Sequence, residues 1–165
     1  MRILLAVDGS EQSYDAARGL EHLAPAEQVL VLHALNVMLP VYPTMVPEAV
    51  RDLRVIVERH MREEGMRLLD RIAAMLPPRA GKATTRMECG SPAELIVTIA
   101  DDERIDLIVL GAHGLGPVHE LVLGSVSHRV LTHAPCPTLI VKGPVRSLRR
   151  VLLPVQEAED ADAAV

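Results

Sequence analysis

Short apolar runs alternate with stretches of helical spacing along most of the chain, and this alternation limits the fold more than any other feature. Ile3–Val7 is an unbroken aliphatic run, the mark of a strand buried on both faces. Ser10–Leu23 follows as a helix, with Ser10 or Asp8 as its cap, and Val29–Leu35 is the next strand. Asn36–Val46 carries Pro40 and Pro43 and reads as a loop. Pro47–Leu76 has apolar residues in helical register (Val50, Leu53, Val57, Met61, Leu68, Leu69 and Ile72); Pro47 suits its first position and Pro77-Pro78 stop it. Thr84–Cys89 is a third strand. Ser91-Pro92-Ala93-Glu94 has the form of a capping box with proline at N1, opening a helix to about Asp102. Asp106–Leu110 is a fourth strand, Ser125–Thr132 a helix, and Thr138–Val141 a fifth strand after Pro135-Cys136-Pro137.

Strands and helices in this order predict an α/β fold. The strands run parallel, right-handed crossovers join them, and helices cover both faces as a three-layer αβα sandwich. The packing must be aliphatic, because Phe and Trp are absent and Tyr14 and Tyr42 are the only aromatic residues. In open parallel sheets, ligands bind beyond the carboxyl ends of the strands where the strand order reverses. That rule directs attention to Asp8-Gly9-Ser10, Ala34-Leu35-Asn36, Gly90 and Gly111–Ser127.

Composition removes several classes of function. A formal net charge of -5 and the near absence of aromatic rings argue against a nucleic-acid partner; Arg146–Arg150 is too short a basic stretch to change this. Cys89 and Cys136 lie far apart without a CxxC, so neither a disulfide framework nor a zinc site is expected. No apolar run approaches the roughly 20 residues that span a bilayer. Arg2–Val7 is too short for a signal peptide, and the expected location is cytoplasmic.

The chemistry-bearing segment follows the fourth strand. It reads Gly111-Ala112-His113-Gly114-Leu115-Gly116, then, eight residues further on, Gly124-Ser125-Val126-Ser127. Gly111 and Gly114 let backbone N–H groups approach a ligand without an intervening Cβ. Gly124-Ser125 opens a helix, whose free N–H groups and positive dipole end suit a phosphate. The hydroxyls of Ser125 and Ser127 are further donors, and two anion-binding elements on one loop point to a polyphosphate. One glycine alone would mean only a tight turn; the spaced set after a strand and before a helix means more.

The spacing of Gly111, Gly114 and Gly124-Ser125 matches the nucleotide-binding signature of the universal stress protein family, which this chain resembles over about residues 1–143. Ile3–Ser10, Val31–Ala34 and Ala134–Val141 resemble the same family's first strand and loop, second strand and closing strand. The resemblance implies a Rossmann-like (HUP-type) five-stranded sheet of order 3-2-1-4-5, a cleft for ATP with or without Mg2+, and a homodimer through Thr138–Lys142. It implies that Ala6, Val7 and Asp8 flank the adenosine, with Asp8 as polar contact, and that the Ala34 backbone meets the adenine. Gly111, Gly114, Gly124, Ser125, Val126 and Ser127 would hold the phosphates. Position 113 varies in the family. His113 could approach a phosphate, but it reads as a solvated loop histidine with no required role.

Other residues have plainer readings. His33 lies in a strand without metal-ligand partners, and Cys136 suits a small buried hydrophobe. Met38 and Met45 serve either as an adaptable lid or as gap-fillers. Glu48, Asp52, Glu58, Glu63 and Glu64 suit a solvated helix face. No GxxxxGK[ST] loop, no SGG-type loop of ATP pyrophosphatases and no lysine or arginine beside the glycines is present, so any ATP hydrolysis is expected to be slow. The expected function is therefore regulatory or stress-responsive ATP binding; the alternative is a nucleotide-independent dimerisation module of the same fold.

The tail carries a partial repeat. Arg150–Ala164 matches Arg2–Ala16 at six of fifteen positions, with Asp8-Gly9-Ser10 replaced by Gln156-Glu157-Ala158. Residues 144–165 are thus expected to be a linker and the start of a truncated second repeat that has lost the nucleotide chemistry, as in a tandem protein. Val151–Val155, with Pro154, is expected to dock on a sheet edge or a neighbouring chain.

Overall fold

The aliphatic runs pair side by side into one parallel sheet. The computed structural model describes residues 1–36, 47–113 and 123–146. Their order is β1 (Arg2–Ala6), α1 (Glu11–Gly19), β2 (Gln28–Leu35), α2 (Pro47–Met75), β3 (Lys82–Cys89), α3 (Pro92–Asp102), β4 (Leu107–Gly111), α4 (Ser125–His133) and β5 (Thr138–Val141). The sheet order is β3-β2-β1-β4-β5, with every neighbouring pair parallel.

The period-two alternation of the strands divides the core in two. Ile3, Leu5 and Val7 of β1 and its continuation pack with Leu68, Leu69 and Ile72 of α2 and with Ala16 and Ala17 of α1. Leu4 packs on the opposite face with Ile96, Ile99 and Ala100 of α3 and Val130 of α4. Both faces of β1 are therefore sealed, which is why an unbroken aliphatic run, and not an alternating one, encodes it.

Several boundaries differ from the sequence reading. The helix expected over Ser10–Leu23 ends at Gly19 and tightens into a 3-10 turn over Leu20–His22. Gly19 is a poor helix residue, and a Cβ there would stand 3.1 Å from Val145 Cγ2. That contact brings the segment after β5 back across α1: Val145 joins the α1–α2 core, and its carbonyl lies 2.9 Å from His22 Nε2. β3 starts at Lys82, not Thr84, because its opening residues are exposed at the sheet edge and carry no apolar signal. Asp106 precedes β4; its Oδ2 accepts the Arg2 N–H at 2.6 Å and so fastens the base of β1 to β4.

The capping box does not close. Ser91 is the N-cap of α3 in extended geometry, yet its side chain makes no cap bond, and Glu94 reaches out to Arg129 of α4 at 3.0 Å instead. On α2, Arg67 pairs with Glu64 and lies 3.8 Å from Glu63, as a solvated charged face requires. Gly65 of α2 is buried where a Cβ would stand 2.8 Å from His33 Cδ2, so it opens room for that ring. Gly81, with φ 65, turns the chain into β3 against the carbonyls of Ala26 and Glu27. The tail repeat, its strand Val151–Val155, and Met38 and Met45 lie outside the described residues.

Candidate binding cleft at the carboxyl ends of the strands

β1 feeds α1 on one face of the sheet and its neighbour β4 feeds α4 on the other, so the chain leaves a crevice between them. A cleft of about 240 Å³ opens there. Its floor is apolar: Ala6 at the end of β1 and Val7 just after it, Leu32 and Ala34 of β2, and Leu110 of β4. Pro92 and Ile96 of α3 and Val126 of α4 complete the apolar wall. The polar groups are few: Asp8, Ser13, His113, Ser125 and Ser127.

Of the residues singled out from the sequence, Ala6, Val7, Asp8, Ala34, Gly111, Gly124, Ser125, Val126 and Ser127 all line this cleft. Gly114 lies outside the described residues. Ser13, Leu32, Pro92, Ile96 and Leu110 line it too and were not anticipated. Three of them had a readable signal: Leu32 shares the strand face of Ala34, two residues on, and Pro92 and Ile96 stand one helical turn apart.

Asp8 is held for use. Its Oδ1 accepts the backbone N–H and the hydroxyl of Ser10, at 2.9 and 2.6 Å, and Oδ2 takes neither bond. Gly9 makes the turn possible with φ 85. Ser10 is also the N-cap of α1, accepting the Ser13 N–H at 3.3 Å. One buried hydroxyl thus links the helix start to the carboxylate.

The glycine segment works differently from the sequence expectation at two points. A Cβ on Gly111 would stand 2.8 Å from Gln12 Cβ and 3.1 Å from Ser13 N, so this glycine lets β4 approach α1. Ser127 Oγ donates its single proton to the Gly111 carbonyl at 2.8 Å, so it braces the loop and has no second proton for a ligand. Gly124 donates its N–H to the Ala112 carbonyl at 2.8 Å. The amides of Ser125, Val126 and Ser127 form the first turn of α4, where no intrahelical acceptor exists, and the Ser125 hydroxyl is exposed.

His113 is not the solvated histidine expected. It lines the cleft, and its Nε2 is shut off from water without a hydrogen-bond partner, the one such side-chain atom among the described residues. His33 sits below the cleft floor, with Nδ1 2.8 Å from the Val7 carbonyl; its ring positions the β1 terminus. Among the described residues no group of three His, Cys, Asp or Glu could hold a metal, and no helix is long and apolar enough to cross a membrane. Cys136 is partly buried against the α3–α4 core, and burial pushes its thiol pKa up, which makes it a poor nucleophile.

The family model "Universal stress protein family" matches residues 1–142. A universal stress protein of Thermus aquaticus, from the QAH/OAS sulfhydrylase 3' region, is 38% identical over 85% of this chain and 97% of its own. Universal stress protein YxiE of Bacillus subtilis is 30% identical over 86% of this chain and 98% of its own. The solved structure of hypothetical protein MJ0577 superposes with a TM-score of 0.70 at 28% identity, covering 85% of this chain and 94% of that one; that protein comes from Methanocaldococcus jannaschii. An Arabidopsis thaliana member solved with AMP bound shares the fold, with a TM-score of 0.61 at 21% identity, covering 88% of this chain and 93% of its own. Matched along nearly all of its described length in sequence and in fold, the chain belongs to the universal stress protein family.

Proposed function

We propose that the cleft binds an adenine nucleotide, ATP with or without Mg2+, and that the chain acts as a cytoplasmic regulatory or stress-response module rather than as a fast enzyme. One observation carries this reading: an apolar slot, the Asp8 carboxylate whose Oδ2 has no partner among the described residues, and the first turn of α4 meet in one crevice at the strand ends. An adenine ring suits the Ala6–Leu32–Ala34 floor, Asp8 Oδ2 suits a ribose hydroxyl or base amino group, and the α4 amides suit phosphate oxygens. A family member of the same fold carries AMP, in keeping with that use of the crevice.

No lysine or arginine lines the described cleft, and residues 111–127 contain none. A triphosphate would thus meet amides and no fixed cation, and Mg2+ would supply the missing positive charge. Calorimetric titration is expected to give a micromolar Kd for ATP, about -8 kcal/mol at 1 μM, tighter with Mg2+ than without. Phosphate release should stay far below the median enzyme rate of about 10 per second. Failure of ATP, ADP and AMP alike to saturate the protein would overturn the reading.

The second reading, assembly through β5, rests on the position of that strand. Thr138, Leu139 and Ile140 are only half-buried at the sheet edge, where unpaired backbone groups and apolar side chains invite another chain. A homodimer through Thr138–Lys142 is expected in light scattering. A monomer mass up to high concentration would count against it.

A further inference from the structure

The geometry points to His113 as a ligand-contacting residue that reads the phosphate of the bound nucleotide. The inference rests on the nucleotide reading above and adds to it a residue that the glycine signature does not specify. Three observations carry it. The imidazole is the only nitrogen-bearing side chain on the described wall of the cleft. Its Nε2 is excluded from water and unpartnered, a costly condition for a polar atom unless a ligand relieves it. Its backbone is held beside the ring: the preceding Ala112 carbonyl accepts the Gly124 N–H at 2.8 Å, and the His113 carbonyl lies 3.3 Å from Ser10 Oγ, whose single proton goes to Asp8.

The pinning leaves the ring as the movable part. Rotation about its two side-chain torsions can turn Nε2 from the wall toward the start of α4, where the first-turn amides of Ser125 and Val126, without an acceptor among the described residues, favour an anion. A phosphate oxygen there accepts an N–H from the imidazole as well as from the helix. The bond gives the orphaned nitrogen its partner and places a side-chain donor on a ligand that meets no lysine or arginine in the described cleft. Adenosine, lacking phosphate, leaves Nε2 as it is. His113 therefore separates nucleotides from nucleosides and contributes nothing to recognition of the base.

The test compares AMP, ATP and adenosine on wild-type protein, His113→Ala and His113→Gln. His113→Ala is expected to weaken AMP and ATP about tenfold, or about 1.4 kcal/mol, and to leave adenosine unchanged. His113→Gln, which keeps an N–H donor, should recover most of the loss. Equal losses for adenosine and AMP would mean a structural role, and no loss for AMP would mean no contact; either overturns the inference. Should the variants fold poorly, the imidazole 15N resonances of the wild-type protein give the answer: AMP should move the His113 signal and adenosine should not. A wild-type protein that binds none of the three ligands would refute the nucleotide reading itself, a different result from binding that ignores position 113.

Discussion

Gly124→Val should weaken ATP and AMP binding at least about 100-fold while the protein stays folded. The backbone at Gly124 is ordinary, with φ -62 and ψ 154, so strain in the dihedrals is not the reason. The reason is steric. A Cβ there would stand 3.0 Å from the Ala112 carbonyl oxygen and 3.3 Å from His113 Cα, and valine adds two further methyl groups. The same carbonyl accepts the Gly124 N–H at 2.8 Å, so loop and helix start cannot separate without losing that bond. The first turn of α4 would have to move, taking its amides off the anion path. Hydrogen bonds to charged groups contribute about 1.5–3 kcal/mol each, so misplacing two suffices for two orders of magnitude. The overpacking itself should cost about 1–3 kcal/mol of stability. Calorimetry beside a thermal melt reads both numbers; a folded variant with wild-type affinity would remove α4 from the site.

Gly81→Ala should be the most damaging single methyl addition among the described glycines. Gly81 has φ 65, and its added Cβ would collide with the carbonyl oxygens of Ala26 and Glu27, the latter at 2.6 Å. The Glu27 oxygen cannot retreat easily, because it accepts the Lys82 N–H at 3.0 Å, the bond that starts β3 beside β2. Backbone strain and collision together should cost about 3 kcal/mol or more, a drop in Tm of roughly 6–12 °C for a domain of this size. Gly143→Ala is the control: nothing lies within 4 Å of the added carbon, and the melt should not move. Equal melting of the two variants would mean that the turn before β3 adjusts freely.

The strands were legible because both sides of the sheet are covered: Leu4 and Leu5 face opposite cores and are both fully buried, so burial left an unbroken aliphatic record. Lys82 and Ala83 were not read as strand because an exposed edge asks nothing hydrophobic of them. The phosphate end of the candidate site was legible through the spacing of glycine and serine. The roles within it were not. That Gly111 serves α1, or that Ser127 spends its proton on Gly111, depends on segments distant in sequence meeting across the sheet. His113 looked solvated for the same reason: it packs beside Ser10, 103 residues away, with its carbonyl 3.3 Å from the Ser10 hydroxyl oxygen, and no local pattern reports that.

The clasp of Val145 on α1 fixes where the segment after β5 lies. Ser13, near one end of this short helix, lines the cleft; Gly19, near the other end, and His22 just beyond hold Val145. Val145 therefore sits at the end of α1 away from the cleft. A label or a tether to a surface placed at Arg146 is expected to start out clear of the ligand's path. Immobilisation at that position should leave nucleotide exchange unhindered, whereas attachment at Asn36, two residues beyond the cleft-lining Ala34, starts beside the mouth.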